Sequence, residues 1–397
     1  MDTTVVPAKV DVSKRVEPLE VRRHFTEKGK HPFDDIEWVR RDAVLIGADG
    51  TEKFRQDGVE VPSFWSETTV NIVAEKYLRV VRGVKENSAK QMFTRVVNFI
   101  GVNGLVQKVL TEESMETFKQ ELLYILANGM YAFNSPVWFN AGAKAEPQCS
   151  ACFIQSVGDS MESIMDLAKR EVMLFKGGSG TGGNLSALRS SWEHLSNGGY
   201  SSGPVSFMKG FDAFAGVTKS GGGTRRAAKM QVLDISHPDI LEQRNGEAGF
   251  IECKKVSEQL AQDLYATGKY SAEWNKPGNV YDLVGYQNAN NSVRVTDAFM
   301  NSVDADDSWR TKLQDGSTHK VYRARELWGA IADSAWVCGD PGIQFSDAIN
   351  RAHTCKNDGD INASNPCQPA WATVLTPIGI RQFSDIDVGS KIGRAHV

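Results

Sequence analysis

From residue 111 to residue 336, amphipathic helical patterns alternate with short apolar runs of strand type, and glycine-rich stretches separate them. A chain patterned in this way folds as an α/β layer or an α/β barrel, with the loops at one end of the sheet carrying the chemistry. Thr111 can cap a helix whose first turn holds Glu112 and Glu113, and whose face carries Phe118, Leu122, Ile125 and Leu126 before Gly129 ends it. A second helix starts at Ser160, with Met161, Ile164, Met165, Ala168 and Val172 on the expected apolar face. Beyond a glycine-rich loop come a helix opened by Pro204, strand-like runs at 230–236 and in NNSVRVT, and a helical pattern over 326–336. Residues 1–95 are charged and broken and predict a small N-terminal region.

Length and charge set the outer limits. A chain of 397 residues allows two or three domains, or one large α/β barrel with an appendage. With 45 Lys and Arg against 49 Asp and Glu, the net charge is −4, which argues against a general nucleic-acid binder. No apolar run is long enough to cross a membrane and the N-terminus lacks a signal-peptide core, so no membrane association and a cytoplasmic location are expected. Six cysteines in a chain this long make no disulfide framework and are weighed singly.

Several motifs carry possible chemistry, each beside a plainer reading. Cys149-Ser150-Ala151-Cys152 has the spacing of a zinc or redox pair, but the chain supplies no second ligand pair, and two buried cysteines at a strand start would look the same. The stretch 174–189 holds Gly177, Gly178, Gly180, Gly182 and Gly183, and it is either a phosphate cradle or a flexible connector. It is no Walker loop, because no Gly-Lys-Ser/Thr closes it. A second glycine loop, 220–229, adds Arg225 and Arg226, which suit a phosphate or a base edge, or else a solvated surface. Asn134-Ser135-Pro136 reads as a turn, and Asn365-Pro366-Cys367 holds a thiol just after a proline.

Taken in order, FNSPVWFNAG, SACFI, GGSGTGGNLSALR, SSGPVSFMKGFDAF, GGGTRRAAKM, NNSVRVTDAFM, CGDPG and NASNPC resemble the large subunit of ribonucleotide reductase over roughly residues 18 to 367. The wording of SACFI, CGDPG and NASNPC is most similar to the adenosylcobalamin-dependent, class II branch. The resemblance implies a ten-stranded α/β barrel, here preceded by a mainly helical N-terminal region. It also implies a cysteine thiyl that takes the 3′ hydrogen of a ribonucleotide, while two other cysteines reduce C2′ as water leaves.

Residue by residue, Cys152 takes the place of one reducing cysteine and Ala151 that of a substrate-contacting neighbour, whereas Cys149 matches no family role. Ser135, Gly180 and Gly182 correspond to substrate-phosphate contacts, and Asn365 to the asparagine that orients the ribose hydroxyls. Asp159 matches the acid that binds the ribose of an allosteric deoxynucleoside triphosphate. Gly222, Gly223, Thr224, Arg225 and Arg226 match the loop that passes effector identity to the substrate base. Adenosylcobalamin, a ribonucleoside di- or triphosphate, a thioredoxin-like reductant and a homodimer complete the expected partners.

The sequence departs from the family in three places. After Cys367 it reads QPAWATVLTPIGIRQFSDIDVGSK, which resembles the first block of an intein, or else is a short apolar tail. On the intein reading Cys367 is a splicing nucleophile at the radical-cysteine position, and the catalytic Glu and second reducing cysteine lie downstream. Residues 392–397, IGRAHV, resemble translated sequencing adapter, so the frame is expected to be cut short and the fragment inactive. QRNGEAG at 243–249 is expected to be a surface insertion, and no ATP-cone pattern opens the chain. The expected division is therefore 1–95, a catalytic barrel over 96–366, an intein segment over 367–391 and the residual 392–397. A class I large subunit and a non-catalytic nucleotide-binding remnant are the competing readings.

Overall fold

The computed structural model describes residues 17–47, 50–218, 227–273 and 278–364, and beyond them only the backbone of two short hairpins. It parts into two compact units, Met1–Ala151 and Cys152–Val397.

In the first unit, β1 (Trp38–Ile46) and β2 (Glu52–Pro62) form an antiparallel pair. Polar and apolar residues alternate only over Val59-Glu60-Val61 of β2, and Ala43, Val59 and Val61 are buried in the core. The N-terminal region is thus not mainly helical, contrary to the expectation above: the antiparallel pair is fixed by the burial of Ala43, Val59 and Val61 in one core with residues farther along the chain. A short α1 (Glu67–Ile72), capped by Ser66, leads to the two-residue strands β3 (Val80–Val81) and β4 (Val84–Lys85). There follow α2 (Ala89–Val106), α3 (Glu112–Ala127) and α4 (Ser135–Asn140). The division expected at residue 95 falls inside α2, whose Met92, Phe93, Val96 and Val97 share one core with Val59 and Val61. Arg95 makes a buried ion pair with Glu86 at 2.8 Å and donates to the carbonyls of Trp138 and Ala141, tying α2 to α4. Thr111 caps α3 as expected, accepting from Ser114 N at 3.1 Å, and Gly129 follows at φ +68°.

In the second unit, β5 (Cys152–Gln155), β6 (Gly180–Asn184), β7 (Lys229–Asp234), β8 (Ala289–Val295) and β11 (Gly342–Phe345) form one parallel sheet in sequence order. The crossovers are α5 (Met161–Lys176), α6 (Gly203–Val217) and α7 (Cys253–Ala266), then α8 (Asp297–Ala305), the hairpin β9 (Ser308–Lys312) and β10 (Thr318–Arg323), and α9 (Ala324–Cys338). A short α10 (Ser346–Ala352) follows β11. Leu167, Met208, Phe211, Leu233, Val293, Phe299 and Leu327 meet in a single core, so the helices cover one face of the sheet. The α/β class stands, as five parallel strands among the described residues.

Two local expectations need correction. The glycine-rich stretch is not a loop throughout: Gly180–Asn184 is β6, inside the sheet, because its backbone pairs on both sides although glycine disfavours strands. The apolar face of α5 is turned from the one expected, since Ile164, Leu167, Ala168 and Phe175 are buried while Met161 and Met165 are exposed. A helix that packs on a sheet buries the stripe pointing at the strands, and long methionines tolerate the solvent side. The insertion lies at the surface as expected, turning between bridge partners Glu242 and Ala248, with Arg244 stacked 3.9 Å over the Tyr200 ring.

One glycine is forced by space. Gly203, at φ +72°, begins α6, and a Cβ there would stand 2.3 Å from the Asp239 carboxylate.

Between sheet and helices sits a desolvated ion pair. Lys229 Nζ lies 2.5 Å from both oxygens of Glu171, the Thr181 hydroxyl donates to the same carboxylate at 3.0 Å, and Lys229 is 1% exposed. Removing one partner leaves an uncompensated buried charge, so Lys229→Met is expected to destabilise the second unit by about 3–5 kcal/mol. The double change Lys229→Met with Glu171→Leu is expected to cost much less. Urea unfolding of both variants checks this, and equal losses would show that the pair is not coupled.

Candidate active site

Parallel register decides which side chains share the face left bare by the helices. Cys152 stands beside Gly180; Ile154, Gly182, Met230 and Asn290 form the next row; Asn184, Val232, Ser292 and Gly342 the third; Asp234, Arg294 and Gln344 the fourth. Residues alternate sides along a strand, and the intervening Leu233 and Val293 lie in the helix-side core. The bare face therefore presents a thiol at one end, two glycines beside it and polar side chains at the other. Cys152 is exposed, and a glycine at its side leaves the backbone open to close approach. Residues 361–364 run across this face, with Ala363 packed on Met230 and Val232.

The expected site residues fall into four groups. Cys152, Gly180 and Gly182 are brought together on this face. Ser135 and Ala151 belong to the first unit, where the Ser135 hydroxyl bonds the Tyr77 hydroxyl at 3.0 Å. Asn365 and Cys367, and the loop residues Gly222, Gly223, Thr224, Arg225 and Arg226, lie outside the described residues, although the first follow 364 directly and the second precede β7. Asp159 opens the turn into α5 and binds Arg189, with Nε at 2.6 Å and the backbone N–H at 3.1 Å. A carboxylate so held is oriented and still one-third exposed, with 29% of its side chain open to solvent.

At the carboxyl ends of β5, β6 and β7 a cavity of about 410 Å³ is lined by Ile154, Ser156, Asn184, Asp234 and Asn362. A smaller one, about 180 Å³, lies beyond it against Glu193, His237, Lys312 and Gln314. Burial pushes His237 down to about 4 and Asp239 up to about 6, so imidazole and carboxyl are both held toward their neutral forms. The sign of each effect is opposite: His237 stabilises the fold above its ordinary value and loses that as pH falls toward 4, while Asp239 loses its contribution as pH rises toward 6. Burial likewise lowers the Lys229 pKa against the pull of Glu171.

Three inner-face residues escaped the sequence reading: Asn184, Arg294 and Gln344. The signal for Arg294 was an arginine in the alternating strand NNSVRVT, on the same side as Ser292. Among the described residues no cluster of His, Cys, Asp and Glu could hold a metal ion. Among the described residues no histidine or cysteine lines the 410 Å³ cavity to ligate cobalt. The described residues thus do not form a complete cobalamin cradle.

Comparison with known proteins gives two family matches. Residues 150–370 match the barrel domain of ribonucleotide reductase, and residues 40–129 match class II vitamin B12-dependent ribonucleotide reductase. Among curated relatives, vitamin B12-dependent ribonucleotide reductase of Streptomyces clavuligerus is 46% identical over 92% of this chain and 38% of its own length. The protein of the same name from Rhodopirellula baltica is 43% identical over 86% of this chain and 35% of its own. Vitamin B12-dependent ribonucleoside-diphosphate reductase of Thermoplasma acidophilum is 40% identical over 59% of this chain and 26% of its own. The chain spans little more than a third of the length of the first of these relatives.

The described thiols differ sharply in surroundings. Cys152 and Cys355 are exposed, whereas Cys253 is buried and its thiol is pushed up to about 12. Alkylation of the native chain near neutral pH is expected to modify Cys152 and Cys355 first and Cys253 last. Peptide mass spectrometry over a time course reads the order, and early labelling of Cys253 would contradict the packing of α7.

Proposed function

Because the chain belongs to the ribonucleotide reductase family, we propose that it is part of an enzyme that reduces ribonucleotides to 2′-deoxyribonucleotides by cysteine thiyl chemistry with adenosylcobalamin. The observation that carries this reading is the placement of Cys152. It is exposed at the first position of the bare sheet face, beside Gly180, and the same face carries the segment that leads into Asn365-Pro366-Cys367. A reducing thiol must reach a sugar carbon without a bulky neighbour, and a glycine beside it meets that need.

The chemistry is a two-electron exchange. A ribonucleotide and two thiols become a deoxyribonucleotide, a disulfide and water, with the 3′ hydrogen taken by a thiyl and returned at the end. Cys152 is one of the two thiols, and a thioredoxin-like dithiol restores it. Adenosylcobalamin, when bound, supplies the radical that starts the sequence. Asn365 orients the ribose hydroxyls, and Ser135, Ala151, Gly180 and Gly182 contact the substrate. A diphosphate substrate is favoured by the name of the Thermoplasma relative.

Regulation fits the same frame. Asp159, oriented by Arg189, holds the ribose of a deoxynucleoside triphosphate, and the loop 222–226 carries the message to the substrate base. Exposed Met161, Met165 and Met173 on α5 support a homodimer. We read the sheet as half of a ten-stranded barrel. The intein reading is supported by the antiparallel hairpin of β12 (Thr373–Thr376) and β13 (Gly379–Gln382) just after Cys367. No described helix is long and apolar enough to cross a membrane.

Two measurements test this. In the full-length protein, Cys152→Ser is expected to stop multiple turnover with a dithiol reductant while cobalamin cleavage is still seen spectroscopically; sustained wild-type turnover would remove Cys152 from the reaction. By calorimetry, Asp159→Ala is expected to weaken deoxynucleoside triphosphate binding by about tenfold or more, the value of a charged hydrogen bond, and unchanged affinity would remove Asp159 from the effector site.

A further inference from the structure

The stretch 361–364 is irregular backbone, with no ladder to satisfy its peptide groups. Side chains from three separate elements bond peptide groups of the stretch instead, and one from a fourth bonds the Ser364 hydroxyl. Asn350 of α10 accepts from Ile361 N at 2.8 Å and donates to its carbonyl at 3.4 Å. Arg294 of β8 donates to that same carbonyl. Asn184 of β6 donates to the Asn362 carbonyl at 3.3 Å, and Gln344 of β11 donates to the Ser364 hydroxyl at 3.1 Å. Between these bonds Ala363 is fully buried on Met230 and Val232.

Arg294 shows how specific the arrangement is. It is 6% exposed, and among the described residues no carboxylate forms an ion pair with it, although Asp234, Asp360 and Asp347 act on it from farther away. A buried guanidinium is costly unless its donors are used. Its donors go to Ile361 and to Gln344 Oε1 at 3.4 Å, so it holds the stretch and the side chain that holds the other end of the stretch. Three of these side chains come from strands of one sheet, whose spacing is fixed by register.

We propose that Arg294, Asn350, Asn184 and Gln344 are positioning residues for the reaction. They clamp the stretch 361–364, three through its backbone and Gln344 through the Ser364 hydroxyl, so that Asn365 and the residue at position 367 start from a fixed point over the face that carries Cys152. The clamp's role in the reaction rests on the reductase reading above; its existence as a clamp does not. The distance from the thiyl to the 3′ hydrogen must be set to within a fraction of an ångström, and a loop tethered only at its far ends would not hold that geometry.

The test is made on the full-length protein, with Arg294→Met and Asn350→Ala and with Arg294→Lys as the conservative variant. Hydrogen exchange at 361–364 is expected to rise about tenfold or more in the first two, while exchange in β7 and β8 stays as in the wild type. Turnover is expected to fall in kcat by at least about tenfold with the KM for the ribonucleotide held, and Arg294→Lys, which keeps one donor, is expected to recover part of it. A general loss of folding would raise exchange throughout the sheet and would overturn the proposal, as would unchanged exchange at 361–364 or unchanged kcat. A wild-type protein without any ribonucleotide turnover would instead overturn the reductase reading, and the exchange measurement would still decide the clamp.

Discussion

The second unit depends on the register of one parallel sheet, and the buried Glu171–Lys229 pair favours that register. A one-residue slip turns every side chain of a strand to the opposite face. Slipping β7 would swing the Lys229 ammonium out to the bare face and leave Glu171 charged and alone beneath α5. A desolvated charge with no partner costs several kcal/mol, more than a shifted ladder could recover. The same register keeps Cys152 facing away from the helices, because Thr181, bonded to Glu171, pairs with Phe153 and Lys229 in one row.

The two faces of the sheet then take opposite characters. The helix side is dense, built on Leu167, Met208, Leu233, Val293 and Phe299, and it also buries the ion pair and the polar row Gln231 and Asn291. The other side is a gradient from the Cys152 thiol and the small Gly180 and Gly182 to the polar row Asp234, Arg294 and Gln344. Such a face suits a polar ligand at one end and an anchored loop at the other. It explains why a stretch as rich in glycine as GGSGTGGN sits in the middle of a sheet: bulk there would fill the space in front of the thiol. The CGDPG phrase has a structural part in the same design, since Asp340 pairs with Lys254 and accepts from Asn291 N, joining α7 to β8.

Much of the fold was legible because it is local. Thr111 and Ser160 cap the helices they precede, Pro204 opens the next one, and the strands at 230 and 290 fall where the apolar runs lie. The misreadings share one cause. A glycine-rich strand, a helix with methionines on its outer side, and a charged hairpin at 38–62 all break local propensity, and each is fixed by what packs against it.

The sequence by itself determined the order of elements, the caps, and the cysteine and glycine phrases that carry the family likeness, because these depend on residue type and spacing along one strand of chain. Tertiary structure decided which of those residues face one another. That Cys152 stands beside Gly180, and that Arg294, Asn184 and Gln344 meet a stretch 20 to 178 residues away, follows from parallel pairing between distant segments. No periodicity within a segment encodes the offset between two segments; only the joint burial of the ion pair and the helix-side core selects it.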